Sequence, residues 1–422
     1  MPARLNPDLG DADTLARLFA PVAGEPVIGL AVSGGADSLA LMLLAHRWAT
    51  NAAAPRPVVY SVDHRLRPEA AAEVAMVLDL AARLGIAARG LAWTGTRPAS
   101  GLQDAARTAR YRLIGEAMAA DGATVLLTAH HRSDQAETVL MRLAHGSGVE
   151  GLKGIAAVSR VEEVKVFRPF LDIDPEALRR VVVEAGLTPV DDPSNTDSSY
   201  ERVRWRQLMP QLAELGLDAD TLAGFAERMA ETDQVLMHLA DAAFNELVRL
   251  DGFGAARIEQ DRFVALGAAV GTRVLGRVLN IVGGRQKPRA LGQVERLRRQ
   301  IAEGALPRST TLCGCVIRFK DGAVAVAREP GRSLPPDAVL VPGGELVWDE
   351  RFRIVNGTSA GLTAGVADYL PRHRLEEVLG FKVTAPAEAI RTAPIVRDAD
   401  GGVVSLGGWS FDERLKVQLL ID

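Results

Sequence analysis

The octapeptide Ala31-Val32-Ser33-Gly34-Gly35-Ala36-Asp37-Ser38 is the chain's strongest chemical signal. Two adjacent glycines, Gly34 and Gly35, permit a tight turn with positive φ and let backbone approach a ligand closely. A helix opening near Asp37 turns its free N–H groups and the positive end of its dipole to the same point. Ser33 and Ser38 add hydroxyl donors. Segment 33–38, Ala36 included, therefore reads as a cradle for a polyphosphate. It lacks the Gly-Lys-Ser/Thr ending of a Walker loop and the third glycine of the dinucleotide fingerprint. The Asp37 carboxylate would repel a bare phosphate. Mg²⁺ held between them by the carboxylate and phosphate oxygens fits that chemistry.

A second block runs Thr128-Ala129-His130-His131-Arg132-Ser133-Asp134-Gln135-Ala136-Glu137-Thr138. Asp134 and Glu137, at i and i+3 of a helix, point the same way. Paired carboxylates beside a phosphate site can hold Mg²⁺ or accept a proton from an amine. Asp37 and Asp134 are the candidate metal ligands. Either His130 or His131 could face the nucleotide, and His130 is favoured because it continues the strand. Arg107 and Arg110 share a helix face, where guanidinium groups can offset phosphate charge in a transition state. The loop holding Gly146, Ser147 and Gly148 is a candidate second phosphate contact. Arg202 and Arg206, at i and i+4, can grip phosphate or stack on a base. Segment 285–308 carries seven basic residues against Glu295 and Glu303. That is the footprint of an RNA contact, with Arg296 and Arg299 as its candidate phosphate ligands.

These residues need a scaffold. Strands are predicted at 27–32, 57–62, 87–91, 124–128 and 164–168, and helices at 37–49, 69–84, 102–120, 133–144 and 175–185. Strands alternating with helices of this length mean βαβ units and a doubly wound parallel sheet. Ligands bind such sheets at the carboxyl ends of the strands, where both blocks fall. A polar stretch at 191–199 leads to a helix at about 200–215. The chain is then mostly helical to about 329, closing in a hairpin at 320–322. Segment 330–336 reads as a linker, and the remainder as a small β-rich domain. The expected domains are 1–215, catalytic; 216–329, mostly helical and RNA-contacting; and 330–422, β-rich.

The length of 422 residues allows about two to four domains. A net charge of −4 argues against a wholly basic nucleic-acid coat protein. Cys313 and Cys315 are the only two cysteines, which excludes a disulfide scaffold and an all-cysteine zinc site. A reducing cytoplasm is the expected compartment. No signal peptide or membrane span is expected.

The octapeptide resembles the PP-loop of the N-type ATP pyrophosphatases. Within that superfamily the chain is similar to the tRNA(Ile)-lysidine synthetases, strongly over 25–215 and loosely beyond. The likeness rests on Val62-Asp63-His64-Arg65-Leu66-Arg67-Pro68, on Ala106-Arg107…Arg110-Tyr111, on the His-rich block, on 146–154, and on Asp192-Pro193-Ser194-Asn195 with Arg202, Arg206 and Pro210. Arg65 stands where glycine is common, Ser133 where aspartate is, and Val203 where asparagine is. The resemblance implies ATP and Mg²⁺ as cofactors, and tRNA(Ile) with a CAU anticodon and free L-lysine as partners. The implied product is lysidine, formed through an adenylated wobble cytidine with release of AMP and pyrophosphate. A homodimer is left open. The competing readings are a PP-loop tRNA thiolase, disfavoured because no cysteine precedes Cys313, and a non-catalytic nucleotide-binding protein.

Overall fold

The computed structural model describes residues 7–51, 55–95, 98, 101–190, 197–284, 291–331, 334–367 and 370–421. The chain divides into two compact units, Met1–Asp233 and Gln234–Asp422.

In the first unit the alternation of β-branched and Ala/Leu-rich segments becomes α1 (Ala12–Phe19), β1 (Val27–Ala31), α2 (Ala36–Asn51), β2 (Arg56–Asp63), α3 (Ala70–Arg83) and β3 (Ala87–Ala92). It continues through α4 (Leu102–Asp121), β4 (Val125–Leu127), α5 (Arg132–Ala144), α6 (Val149–Leu152), β5 (Val158–Val161), β6 (Val164–Phe167) and α7 (Pro175–Glu184). Two helices follow, α8 (Glu201–Glu214) and α9 (Ala219–Leu247). The sheet order is β3-β2-β1-β4-β6-β5. All neighbours are parallel except β5, which pairs antiparallel with β6. This is the doubly wound sheet expected from the sequence. Chain order reverses between β1 and β4, so a crevice opens at their carboxyl ends. Leu30 registers with Leu127, and Leu127 with Phe167, so the loops after β1, β4 and β6 leave the sheet at one level.

Local chemistry sets the helix ends. Asp11 caps α1 by accepting the Thr14 N–H at 2.9 Å. Asp174 caps α7 ahead of Pro175 at its first position. Residues 39–45 of α2 are buried, which anchors the helix that carries the glycine loop. Trp205, Met209 and Leu212 of α8 pack on the buried Ala136, Val139 and Leu140 of α5. That apolar contact brings the charged face of α8 onto α5.

In the second unit the helical middle continues with α10 (Gln260–Val264), α11 (Ala268–Gly283) and α12 (Leu291–Ala302). It also carries a five-stranded antiparallel sheet of β7 (Val248–Leu250), β8 (Ala256–Glu259), β9 (Thr310–Leu312), β10 (Cys315–Lys320) and β11 (Ala323–Arg328). The expected hairpin joins β10 to β11, with Asp321 and Gly322 at φ +52° and +71°. Cys315 is buried at the start of β10, but Cys313 sits in a turn at φ +65°, so the two do not share a strand face.

The β-rich end contains β12 (Ala338–Leu340), β13 (Glu345–Trp348), β14 (Phe352–Asn356), β15 (Leu362–Val366), α13 (Arg372–Leu379) and α14 (Ala387–Arg391). Then come β16 (Pro394–Arg397), β17 (Val403–Leu406), β18 (Trp409–Ser410) and β19 (Leu415–Leu419). They form sheets ordered β12-β15-β16-β17-β18 and β13-β14-β19. Among the described residues no helix is long and apolar enough to cross a membrane.

Candidate active site

The loop after β1 takes the tight course its glycines allow. Gly34 has φ +93°, and a Cβ there would lie 3.1 Å from Val190 Cγ2 and 3.2 Å from Met76 Cε. Its carbonyl accepts the Val190 N–H at 2.9 Å, which ties the loop to the chain after α7. Ser38 stitches the turn from inside. Its hydroxyl accepts the Ser33 N–H at 3.1 Å and donates to the Gly35 carbonyl at 2.9 Å. Ser33 is exposed, and its hydroxyl lies 3.3 Å from Ser38 Oγ. The Asp37 carboxylate, 42% exposed, lies at the first turn of α2.

Across the crevice, His131 caps α5 reciprocally. Asp134 Oδ2 accepts the His131 N–H at 2.9 Å, and His131 Nδ1 accepts the Asp134 N–H at 3.4 Å. His131 Nε2 then lies 3.5 Å from Asp37 Oδ2 and 3.6 Å from Asp134 Oδ2, between the two carboxylates. Burial pulls its pKa down. The hydrogen bond to Asp37 and the charges of Asp134, Asp37 and Glu137 outweigh that, and the imidazole titrates above its ordinary value. His130 behaves oppositely. Its Nδ1 is 2.9 Å from Thr128 Oγ1, and burial, aided by Arg168, Arg202 and Arg107, lowers its pKa to about 4 against the pull of Asp134. His131, not the favoured His130, is thus the histidine that meets Asp37.

Arg202 and Arg206 lie on the α8 face turned to α5. Arg202 donates to Glu137 Oε2 at 2.6 Å and to Asp134 Oδ1 at 2.8 Å. Arg206 donates to Glu137 Oε1 at 2.7 Å and Oε2 at 3.2 Å. Burial pushes the Asp134 carboxyl up, but His131, Arg202 and the His131 N–H hold it below the ordinary range. The two arginines expected to meet RNA therefore engage the two carboxylates expected to do chemistry.

Arg107 and Arg110 gather around Tyr111, with their guanidinium carbons 5.2 and 5.5 Å from the ring centroid. Burial lowers the Arg110 pKa. Gly146, Ser147 and Gly148 form the turn between α5 and α6, tied back by the Ser147 N–H to the Arg142 carbonyl at 2.9 Å. Arg142 in turn donates to the Gly151 and Gly154 carbonyls at 2.8 and 2.7 Å. None of the described hydrogen bonds of that turn reaches 33–38. Arg296 and Arg299 are exposed on α12 of the second unit, opposite the buried Val294, Leu297 and Ile301. The motif 191–195 and Arg285, Lys287 and Arg289 lie outside the described residues.

Arg65 resolves one departure from the family pattern. It has φ +53°, a conformation that favours glycine, and its N–H donates to Asp63 Oδ1 at 2.6 Å. Among the described residues no three His, Cys, Asp or Glu side chains converge as a metal cage. A cation here would rest on Asp37, Asp134 and phosphate oxygens, and the open Asp37 carboxylate suits it.

The sequence pattern of the PP-loop domain matches residues 8–212. The tRNA(Ile)-lysidine synthase of Bradyrhizobium sp. strain BTAi1 is 41% identical over 336 residues, covering 75% of this chain and 94% of that relative. The enzyme of the same name from Rhodopseudomonas palustris is 42% identical over 328 residues, covering 75% of this chain and 94% of its own. That of Methylobacterium nodulans is 43% identical over 333 residues, covering 76% and 95%. The chain belongs to the tRNA(Ile)-lysidine synthase family. Its first unit is accordingly the ATP-using PP-loop domain of that family, with the Gly34–Gly35 turn at the switch point of the sheet.

Arg168 escaped the sequence reading. It follows the last parallel strand at the carboxyl edge, the edge the doubly wound topology marks for ligands. Its place directly after the 164–167 strand was the available signal.

Proposed function

We infer that the protein joins free lysine to C2 of the wobble cytidine of tRNA(Ile) with a CAU anticodon. ATP is consumed and lysidine, AMP and pyrophosphate are released. One observation carries the reading: relatives of that name match along nearly their whole length, and the PP-loop domain pattern spans residues 8–212. In the first step the cytidine O2 attacks the α-phosphorus and pyrophosphate leaves. In the second the lysine ε-amine attacks C2, the C2–O bond breaks and AMP leaves, and the amine's proton passes to the Asp134–Glu137 carboxylate pair.

Backbone N–H groups at 34–38 and the Ser33 hydroxyl hold the pyrophosphate part of ATP. Arg107 and Arg110 supply positive charge as the α-phosphate reacts. Asp37 and Asp134 would hold Mg²⁺, which would neutralise phosphate charge. Glu137 and Asp134 set the charge of the amine-binding side, and Arg202 and Arg206 hold them in place. Segment 216–329 contributes tRNA phosphate contacts through Arg296 and Arg299. The substrates place the reaction in the cytoplasm. Thiolation has little to support it, because Cys315 is buried and neither cysteine lies in the first unit.

Mass spectrometry of nucleosides tests the reading after incubation of protein, ATP, tRNA and isotopic lysine. The expected product carries the label on cytidine. Asp37→Ala should lower tRNA-dependent AMP release by about 10²-fold or more. Unlabelled cytidine with the wild-type protein refutes lysidine formation, and normal AMP release by the variant refutes the role of Asp37.

A further inference from the structure

Arg168 is 5% exposed, yet it carries a charge. Its Nη1 donates to the Ala156 carbonyl at 2.8 Å and to Ser159 Oγ at 2.9 Å, which pins the guanidinium plane. Its Nε is a buried donor with no partner. Buried donors are nearly always satisfied, so a pinned guanidinium with one idle N–H is a position built for an acceptor. Neighbouring charge agrees. Among the described residues none of Arg107, Arg110 and Arg168 forms an ion pair with a carboxylate. Burial and the charge of Arg107 both press on Arg168 and Arg110, with only the Tyr111 hydroxyl opposing.

Its place is defined by register. Phe167 pairs with Leu127, so Arg168 leaves β6 beside Thr128 and His130 as they leave β4. His130 is attracted by Asp134 and repelled by Arg168, Arg202 and Arg107. The carboxyl edge is polarised: it carries the carboxylates of α2 and α5 and, at the end of β6, the Arg168 guanidinium, without a carboxylate partner among the described residues. Free lysine is polarised in the same sense, an anionic carboxylate at one end and an amine at the far end of its chain. ATP phosphates already have the 33–38 cradle together with Arg107 and Arg110. An RNA backbone phosphate would meet the exposed Arg107, not a guanidinium this deeply buried.

We propose that Arg168 is the seat of the α-carboxylate of the amino-acid substrate, and so selects a free amino acid over a simple amine. The assignment rests on the reading that lysine is that substrate.

Arg168→Met is compared with the wild type using lysine and lysinamide, in which an uncharged amide replaces the α-carboxylate. Formation of adenylated tRNA without lysine and the KM for ATP are measured in parallel. The wild type should prefer lysine. The variant should show a lysine KM raised about 10–100-fold, from loss of a charge-assisted bond. Its kcat/KM for lysinamide, its adenylation step and its KM for ATP should stay unchanged. Arg168→Lys should recover part of the lysine preference, and it serves as the test variant if the methionine form fails to fold. A raised KM for ATP or slow adenylation with lysine KM unchanged assigns the anion to a phosphate and overturns the proposal. Equal use of lysine and lysinamide by the wild type, or no change in lysine KM in the variants, also overturns it. Failure of the wild type to incorporate any lysine is a different result and refutes the underlying reading instead.

Discussion

Replacing Arg202 and Arg206 together by methionine leaves the Glu137 carboxylate, 1% exposed, without the donors that hold it. A buried charge stripped of its partners costs about 3–5 kcal/mol. Glu137→Gln is the milder change. It weakens the bonds to two guanidinium groups, but Arg202 keeps Asp134, and both groups, 39% and 46% exposed, can be taken up by water. Loss of the charge-assisted bonds, discounted for that solvation, comes to about 1–2 kcal/mol. The triple variant removes both sides and should return to within about 2 kcal/mol of the wild type. For a unit of this size 1 kcal/mol moves Tm by about 2–4 °C. The double arginine variant should therefore melt roughly 6–20 °C lower and Glu137→Gln roughly 2–8 °C lower. Calorimetry of the four proteins at pH 7 reads this directly. A Glu137→Gln loss equal to or greater than the double-arginine loss, or a triple variant no better than the double, would refute this reasoning.

Gly34→Ala forces a side chain onto φ +93° within 3.1 Å of Val190 Cγ2, so a loss of about 1–3 kcal/mol and weaker ATP binding are expected. Titration calorimetry with ATP checks it, and an unchanged affinity and Tm would count against the tight-turn argument. Replacing Arg296 and Arg299 by Gln should weaken tRNA binding without touching ATP binding, and flatten log K against log salt by roughly 0.7–0.9 per lost contact. An unchanged slope removes that helix from the RNA interface. His130 is held neutral with a pKa lowered to about 4, whereas it titrates near 6.5 when unfolded. The unfolded chain therefore binds more protons between those values, and stability should fall as pH drops through that window. His130→Gln should make the pH dependence shallower, and melts from pH 7 to 4 showing the same slope in both proteins would contradict the buried, neutral assignment.

Much of the first unit was legible because its signals are local. The Ser-Gly-Gly-Ala-Asp-Ser loop, the alternation of strand and helix and the i, i+3 spacing of Asp134 and Glu137 depend only on near neighbours along the chain. They were enough to set the parallel sheet, the crevice and the carboxylates facing it. Short strands were less visible. β5 has an alternating exposed pattern and is closed by Glu162 and Glu163 at positive φ, so nothing local marks it as paired with β6. In the middle segment β7, β8 and β9 are only three or four residues long; β7 pairs with β8 and β9 with β10 across short loops, and β8 is held in the sheet by β11, far along the chain.

Partnership between charged groups was decided by tertiary structure alone. Arg202 and Arg206 have the same spacing whether they meet RNA or a carboxylate. The apolar packing of Trp205, Met209 and Leu212 on α5 selects Glu137, 69 positions before Arg206. His131 prevails over His130 at Asp37 because capping α5 fixes its ring, a constraint set by where the helix begins. Arg168 became a site only through its depth: a guanidinium looks the same in sequence whether it is solvated or buried. The long range of folding contacts, which bury one charge and expose its neighbour, cannot be read from spacing.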